Sequence, residues 1–155
     1  MEVELRSEGP LTRTIHTEMD LDTQGDHVWR VWTDLEQFSS WNPVMTRVRG
    51  RAELGAEVRV GFRMGVFMEV PCVVDDMEPG RRLSWRGGTR GLLRARHYFE
   101  CHPLPDGSTH IVHGETFSGL LVPPLWPALA PQLRKNYQRI NDALAAQVRK
   151  QSQAA

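Results

Sequence analysis

Between residues 44 and 118 apolar side chains recur at every second position through several short runs, and directly afterwards the spacing changes to threes and fours. A period of two lines one face of a strand and a period near 3.6 lines one face of a helix, so the order predicts a strand meander followed by one long helix. Val44 to Gly50 forms the first run, with Arg47, Arg49 and Arg51 on its polar side. Glu57 to Met64 sets Val58, Val60, Phe62 and Met64 on one face, and Phe67 to Asp75 does the same with Met68, Val70, Cys72 and Val74. Leu83 and Trp85 alternate with Arg82, Ser84 and Arg86; then come Leu93, Ala95, His97, Phe99 and Cys101, and finally Ile111, His113, Glu115 and Phe117. Gly65, Glu78-Pro-Gly80, Gly87-Gly88 and Pro105-Asp-Gly107 punctuate the runs as turns. Pro71 cannot donate to a ladder and predicts a bulge or an edge.

The helical stripe is Trp126, Leu129, Leu133, Tyr137, Ile140, Leu144 and Val148. Pro127 suits a first turn, whereas Pro131 should kink the helix or mark its start. Ahead of the meander, Thr12 to Leu21 alternates as one more strand, and Thr23-Gln-Gly-Asp26 offers turn and cap chemistry to a helix holding Val28, Val31, Trp32 and Leu35. Asp34 is placed to cap a second short helix, which ends near Trp41 because Asn42 precedes Pro43. Residues 1–10 and the tail after Lys150 read as frayed. The expected architecture is α+β, in the order β-α-α-β6-α, with a curved antiparallel sheet wrapped around a long C-terminal helix. It forms one domain over residues 1–155, with a core from about 12 to 150.

Composition removes several function classes. Nineteen basic residues balance nineteen acidic ones, so no concentrated positive field exists for counterion-release binding, and no nucleic-acid partner is expected. The start lacks an apolar signal core, and no run approaches the roughly 18 apolar residues of a membrane span. The two cysteines, Cys72 and Cys101, have no CxxC spacing and read as buried free thiols of a reducing compartment, so a cytoplasmic location is expected. The Gly87-Gly-Thr-Arg-Gly91 loop lacks the Lys-Ser/Thr of a phosphate-binding loop.

Val28-Trp-Arg-Val-Trp-Thr-Asp34, Trp41-Asn-Pro43, Glu78-Pro-Gly-Arg-Arg-Leu-Ser-Trp85, His97-Tyr-Phe99 and His113-Gly-Glu-Thr-Phe-Ser-Gly-Leu120 occur in that order. Over residues 12 to 150 this pattern resembles the START-like helix-grip superfamily (SRPBCC), which includes lipid-transfer domains, birch-pollen-type allergens and bacterial polyketide cyclase/dehydrase-like proteins. The resemblance implies an elongated cavity between sheet and C-terminal helix that takes a hydrophobic small molecule, a lipid or polyketide among them. It equally admits a polyketide aromatase/cyclase-dehydratase working without a cofactor, or an interaction module of the chaperone-cofactor kind. A bacterial source and a monomer or homodimer accompany that expectation.

Strand parity supplies candidate walls: Val58, Val60, Phe62, Met68, Val70, Cys72, Val74, Leu83, Trp85, Phe99 and Phe117, with His97, His113 and Glu115 as the polar members. From the helix come Trp126, Leu133 and Tyr137. His113 and Glu115 share a face, and His97 sits on the neighbouring strand, so the three are the candidates for proton transfer. The same trio reads first of all as a buried network in which Glu115 pairs with an arginine or the helix end, and next as groups that orient a ligand. Two histidines and a carboxylate can also hold a metal, but adjacent antiparallel strands need not converge on one point, and none is expected. Trp41 and Asn42 mark the cavity mouth, although an asparagine before proline is first of all a turn residue. Trp85 and Trp126 are aromatic faces for a planar guest or for simple packing.

Overall fold

The computed structural model describes residues 1–64 and 66–154, and only the backbone at Met64. The expected break at Gly65 and the inward placement of Met64 therefore lie outside the described residues. Among the described residues eight antiparallel strands form one curved sheet. They are β1 (Glu2–Gly9), β2 (Thr12–Leu21), β3 (Arg47–Gly50), β4 (Glu57–Met64), β5 (Val66–Glu78), β6 (Arg82–Thr89), β7 (Leu93–Pro103) and β8 (Thr109–Ser118). Their spatial order is β1-β2-β8-β7-β6-β5-β4-β3, so the last strand inserts beside the second and the meander closes back on the N-terminus. Among the described residues there are three α-helices, α1 (Gly25–Thr33), α2 (Phe38–Trp41) and the 33-residue α3 (Val122–Ala154), with a 3-10 turn at Leu35–Gln37 leading into α2.

Several readings of the sequence change; the strand read from Val44 begins only at Arg47, and Asp34 precedes the 3-10 turn Leu35–Gln37 without making a side-chain cap hydrogen bond. Residues 2–9 are not frayed: β1 pairs with β2, and Val3 and Leu5 pack against Ile15, Leu133 and Tyr137. Two apolar side chains are a faint signal, but the outer backbone of β2 needs a partner and β1 satisfies it. Pro131 is not the start of the long helix, which runs from Val122 with Pro127 and Pro131 inside it. Both prolines sit on the exposed face, where water can serve the carbonyls that lose their donors. The tail after Lys150 continues as exposed helix to Ala154. Gly87-Gly88 does not end its strand, because β6 continues to Thr89. Pro71 lies where the β5–β6 register has not yet begun, at Cys72, so it costs no ladder bond on that side; the bulge falls later, between Val74 and Asp76.

The interior is divided in two. The larger cluster joins Val28, Val31 and Trp32 of α1 and Phe38 of α2 to Val58, Val74, Leu83, Trp85 and Phe99 of the sheet and to Ile140, Leu144 and Val148 of α3. A smaller one gathers Ile15, Leu133 and Tyr137, with Phe117, Trp126 and Leu129 against it. Between them lies a hollow, described below.

Gly114 makes the register of β8 workable. A Cβ there would collide with the Ile15 carbonyl oxygen and the Tyr98 hydroxyl, so only glycine lets β2 and Tyr98 close over the strand between His113 and Glu115. Gly114→Ala is expected to destabilise the fold by about 2–3 kcal/mol, as overpacking against fixed backbone does. Urea unfolding measures it, and an unchanged midpoint refutes the packing argument.

Candidate functional site

Parity carries the sheet's inward side chains to one concave wall, and α3 lies across it. The hollow between them has a volume of about 270 Å³, close to the lower end of small-ligand cavities. Val60, Phe62, Met68, Val70, Cys72, Trp85, Phe117, Leu133 and Tyr137 of the expected ligand set line it, together with His97 and Glu115. Met68 does so at an exposed edge. His113, Phe99, Trp41, Asn42 and Trp126 stand outside the lining. His113 is fully buried behind His97; Phe99 stacks on Trp32 at 4.0 Å between ring centroids; Trp126 packs on Phe117. Asn42 holds the turn after α2, its Oδ1 accepting from the amides of Val44 and Met45 at 3.0 and 2.8 Å.

One chain of hydrogen bonds fixes the histidines. The Thr17 hydroxyl donates to the His113 carbonyl at 2.6 Å, so its oxygen accepts from Asn141 Nδ2 at 2.8 Å. That orients the Asn141 amide with Oδ1 toward His113 Nδ1, 2.7 Å away. Nδ1 of His113 must then carry the hydrogen. Its Nε2 keeps a lone pair, which accepts from Nε2–H of His97 at 2.8 Å. His97 is left with an unprotonated Nδ1 that is buried and has no partner. Trp85 stacks on the His97 ring at 4.6 Å. Burial drives the His113 pKa down to about 4, against the Asn141 bond, and holds His97 well below its ordinary value, helped by His113. Both rings are neutral near pH 7.

Glu115 faces His97 across the β7–β8 register, but its hydrogen bond runs elsewhere: the Tyr137 hydroxyl donates to Oε2 at 3.0 Å. Neither an arginine nor a helix end supplies the partner the sequence suggested. The carboxyl fronts the hollow and is therefore only half-covered, yet the surrounding wall is apolar. Desolvation pushes its pKa up to about 7, opposed by the Tyr137 bond. The trio thus splits into a neutral imidazole pair and a carboxyl–phenol pair. Burial lifts the Cys72 thiol to about 12, with a smaller push from Glu115, so it is not a nucleophile at neutral pH. Among the described residues, no three His, Cys, Asp or Glu side chains are grouped to hold a metal ion, and no helix is long and apolar enough to cross a membrane.

Sequence reasoning missed Asn136, which lines the hollow, and the Thr17–Asn141 pair that orients His113. Asn136 and Asn141 are two polar residues on the buried side of an amphipathic helix, and that placement was the available signal.

A family model described as polyketide cyclase / dehydrase and lipid transport matches residues 12–149. Among curated proteins nothing matches. The aromatase/cyclase Zhui from Streptomyces sp. R1128 superimposes with a TM-score of 0.74 at 16% identity, covering 91% of this chain and 96% of that one. A START superfamily protein from Mycobacterium smegmatis gives 0.71 at 16% identity, over 88% and 97%. Norcoclaurine synthase from Thalictrum flavum, solved with dopamine and hydroxybenzaldehyde, gives 0.69 at 14% identity, over 97% of each. At these identities the likeness is one of fold.

Two measurements check the electrostatics. Long-range proton–nitrogen NMR is expected to find His113 protonated on Nδ1 and His97 on Nε2; the opposite tautomers break the chain deduced above. Linkage gives His113 and Glu115 opposite signs. His113, lowered from 6.5 to about 4, stabilises the fold above pH 6.5, and that contribution is lost as pH falls through 4. Glu115, raised from 4.5 to about 7, stabilises relative to its ionised state below pH 4.5, and this is lost as pH rises through 7. Glu115→Gln, which keeps an acceptor for Tyr137, is therefore expected to gain Tm over the parent at pH 8 and little at pH 4.5. A gain independent of pH contradicts the assignment.

Proposed function

The chain belongs to the polyketide cyclase / dehydrase and lipid transport family, and we propose that it holds one hydrophobic small molecule in the hollow between its sheet and α3. The observation that carries this reading is the hollow itself. It separates two packed clusters, and its walls are apolar apart from His97, Glu115, Asn136 and Tyr137. An unfilled apolar space forfeits contact energy of about 20 cal/mol per Å² of cavity surface, a cost that an apolar guest recovers. The polar groups stand on β7, β8 and α3, so they orient one end of the guest while the aliphatic and aromatic walls take the rest. A lipid-like chain or a polyketide meets these requirements. The partner is a small molecule, and the residues that bind it are the lining set above.

A second reading, turnover of a polyketide in the same space, draws on one specific feature. A carboxyl whose pKa lies near 7, hydrogen-bonded to a phenol in an apolar cavity, exchanges a proton readily at neutral pH. In that scheme the Glu115 carboxylate takes a proton from carbon between two carbonyls. The resulting enolate closes a carbon–carbon bond onto a third carbonyl, and the protonated Glu115 returns the proton to the new alkoxide. Water then leaves the aldol to give the unsaturated ring.

Filling the hollow separates both readings from an interaction role. Ala95 lines the space, so Ala95→Phe is expected to keep the fold and lower the affinity for a displaceable hydrophobic fluorophore by about tenfold or more, as blocking an apolar pocket does. Equal affinity in that variant ends the cavity proposal. For the catalytic reading, Glu115→Gln should retain binding of an aromatisable poly-β-ketone thioester and lose its conversion; undiminished conversion by the variant rejects Glu115 as the catalytic residue.

A further inference from the structure

Three chain turns meet at one end of the sheet, and backbone hydrogen bonds tie them together. The Gly119 amide donates to Leu11 O, Leu120 to Gly91 O and Leu121 to Leu92 O, each at 3.0 Å. The result gathers Leu11, Leu92, Leu120 and Leu121, with Leu125 one helical turn on, all large apolar side chains left exposed; Leu120 is 64% accessible. Pro124, Pro127, Ala128 and Pro131 extend this outer face along α3 and are exposed as well. A contiguous apolar end of this kind signals an interaction.

The charge around it is predominantly positive. From Thr116 to Asn141 the sequence contains no Asp or Glu, and its cations are Arg134, Lys135 and Arg139. From Pro79 to Phe99, across the β6–β7 turn, there is again no acid, and Arg90 and Arg94 flank Leu92. Arg13 follows Leu11; Glu8 is the acid nearest to that turn in sequence. A chain with zero formal net charge thus concentrates positive charge at its apolar end. On α3 the order along the axis is apolar apex, then half-buried Trp126, then the cations, with Arg134 roughly 20 Å from Leu121 at 1.5 Å per residue. Leucine and proline, with no exposed aromatic side chain on these three turns or on the outer face of α3, suit fluid acyl chains better than the shaped pocket of a protein partner.

We propose that this end of the molecule docks on an anionic lipid bilayer, with the exposed proline face of α3 lying along the surface, the leucines of the three turns in the acyl boundary and Arg90, Arg94, Lys135 and Arg139 on the phosphates. Leu93, Phe117 and Leu129, which line the hollow, stand on the elements that meet at the docked end, so docking brings the bilayer to that side of the cavity wall. Docking itself does not depend on an occupied hollow.

The test is co-sedimentation of the full chain with vesicles, no hydrophobic guest added. Phosphatidylcholine vesicles containing roughly one-third phosphatidylglycerol are expected to bind it in a salt-sensitive manner, and pure phosphatidylcholine vesicles much more weakly. The double variant Leu120→Glu/Leu125→Glu and, separately, Lys135→Glu/Arg139→Glu should each lower the bound fraction about tenfold, while Tm and fluorophore binding in the hollow stay unchanged. Absence of binding to the anionic vesicles overturns the proposal, as does binding that survives both double variants. Self-association abolished by the leucine changes, without vesicle binding, assigns the face to a second copy instead. Because the fluorophore assay reads the hollow independently, failure of docking and failure of the cavity reading are distinguishable.

Discussion

The pairing of β2 with β8 is the constraint from which the rest follows. It runs from Thr12 opposite Ser118 to Leu21 opposite Thr109, and it joins segments nearly a hundred residues apart. Such a contact is entropically costly to close, yet it places Thr17 opposite His113 and Ile15 opposite Glu115. The first pair begins the hydrogen-bond chain that sets the tautomer of both buried histidines. The second sets an apolar side chain beside the carboxyl of the hollow. The same closure leaves one concave wall for α3 to cross.

A single helix does not fill that wall evenly. The C-terminal half of α3 packs with α1, α2 and the middle strands, whereas its N-terminal half packs with β1, β2 and β8. The hollow is what remains between these two contacts. Its chemistry follows from where polar residues fall on the helix: Asn136 and Tyr137 front the space, and Asn141, one turn further, is taken up by Thr17 and His113. The polarity of the hollow is thus that of a carboxyl–phenol pair and one face of a neutral imidazole, in a site that desolvates all of them.

Much of the fold was legible in the sequence, because a period of two and a period of 3.6 survive wherever one face is buried. The strands from Thr12 to Ser118 and the stripe from Trp126 to Val148 show this directly. Their boundaries and β1 were less legible. Only Val3 and Leu5 mark β1, and the demand for it comes from the unpaired backbone of β2, which local pattern does not display. Prolines also misled, since Pro127 and Pro131 are tolerated within α3 on the side facing water.

For the site, alternation determined which side chains face inward, and hence most of the lining, from Val60 and Trp85 to Phe117. The tertiary structure alone decided their connections. His113 withdrew behind His97 toward Asn141, Glu115 turned to Tyr137 rather than to a cation, and Trp41, Asn42 and Phe99 joined the packing around the hollow. The physical reason is that parity specifies a direction for each side chain. The identity of its partner depends on which helix face crosses the strand and on where the register of β2, β7 and β8 places each opposing group.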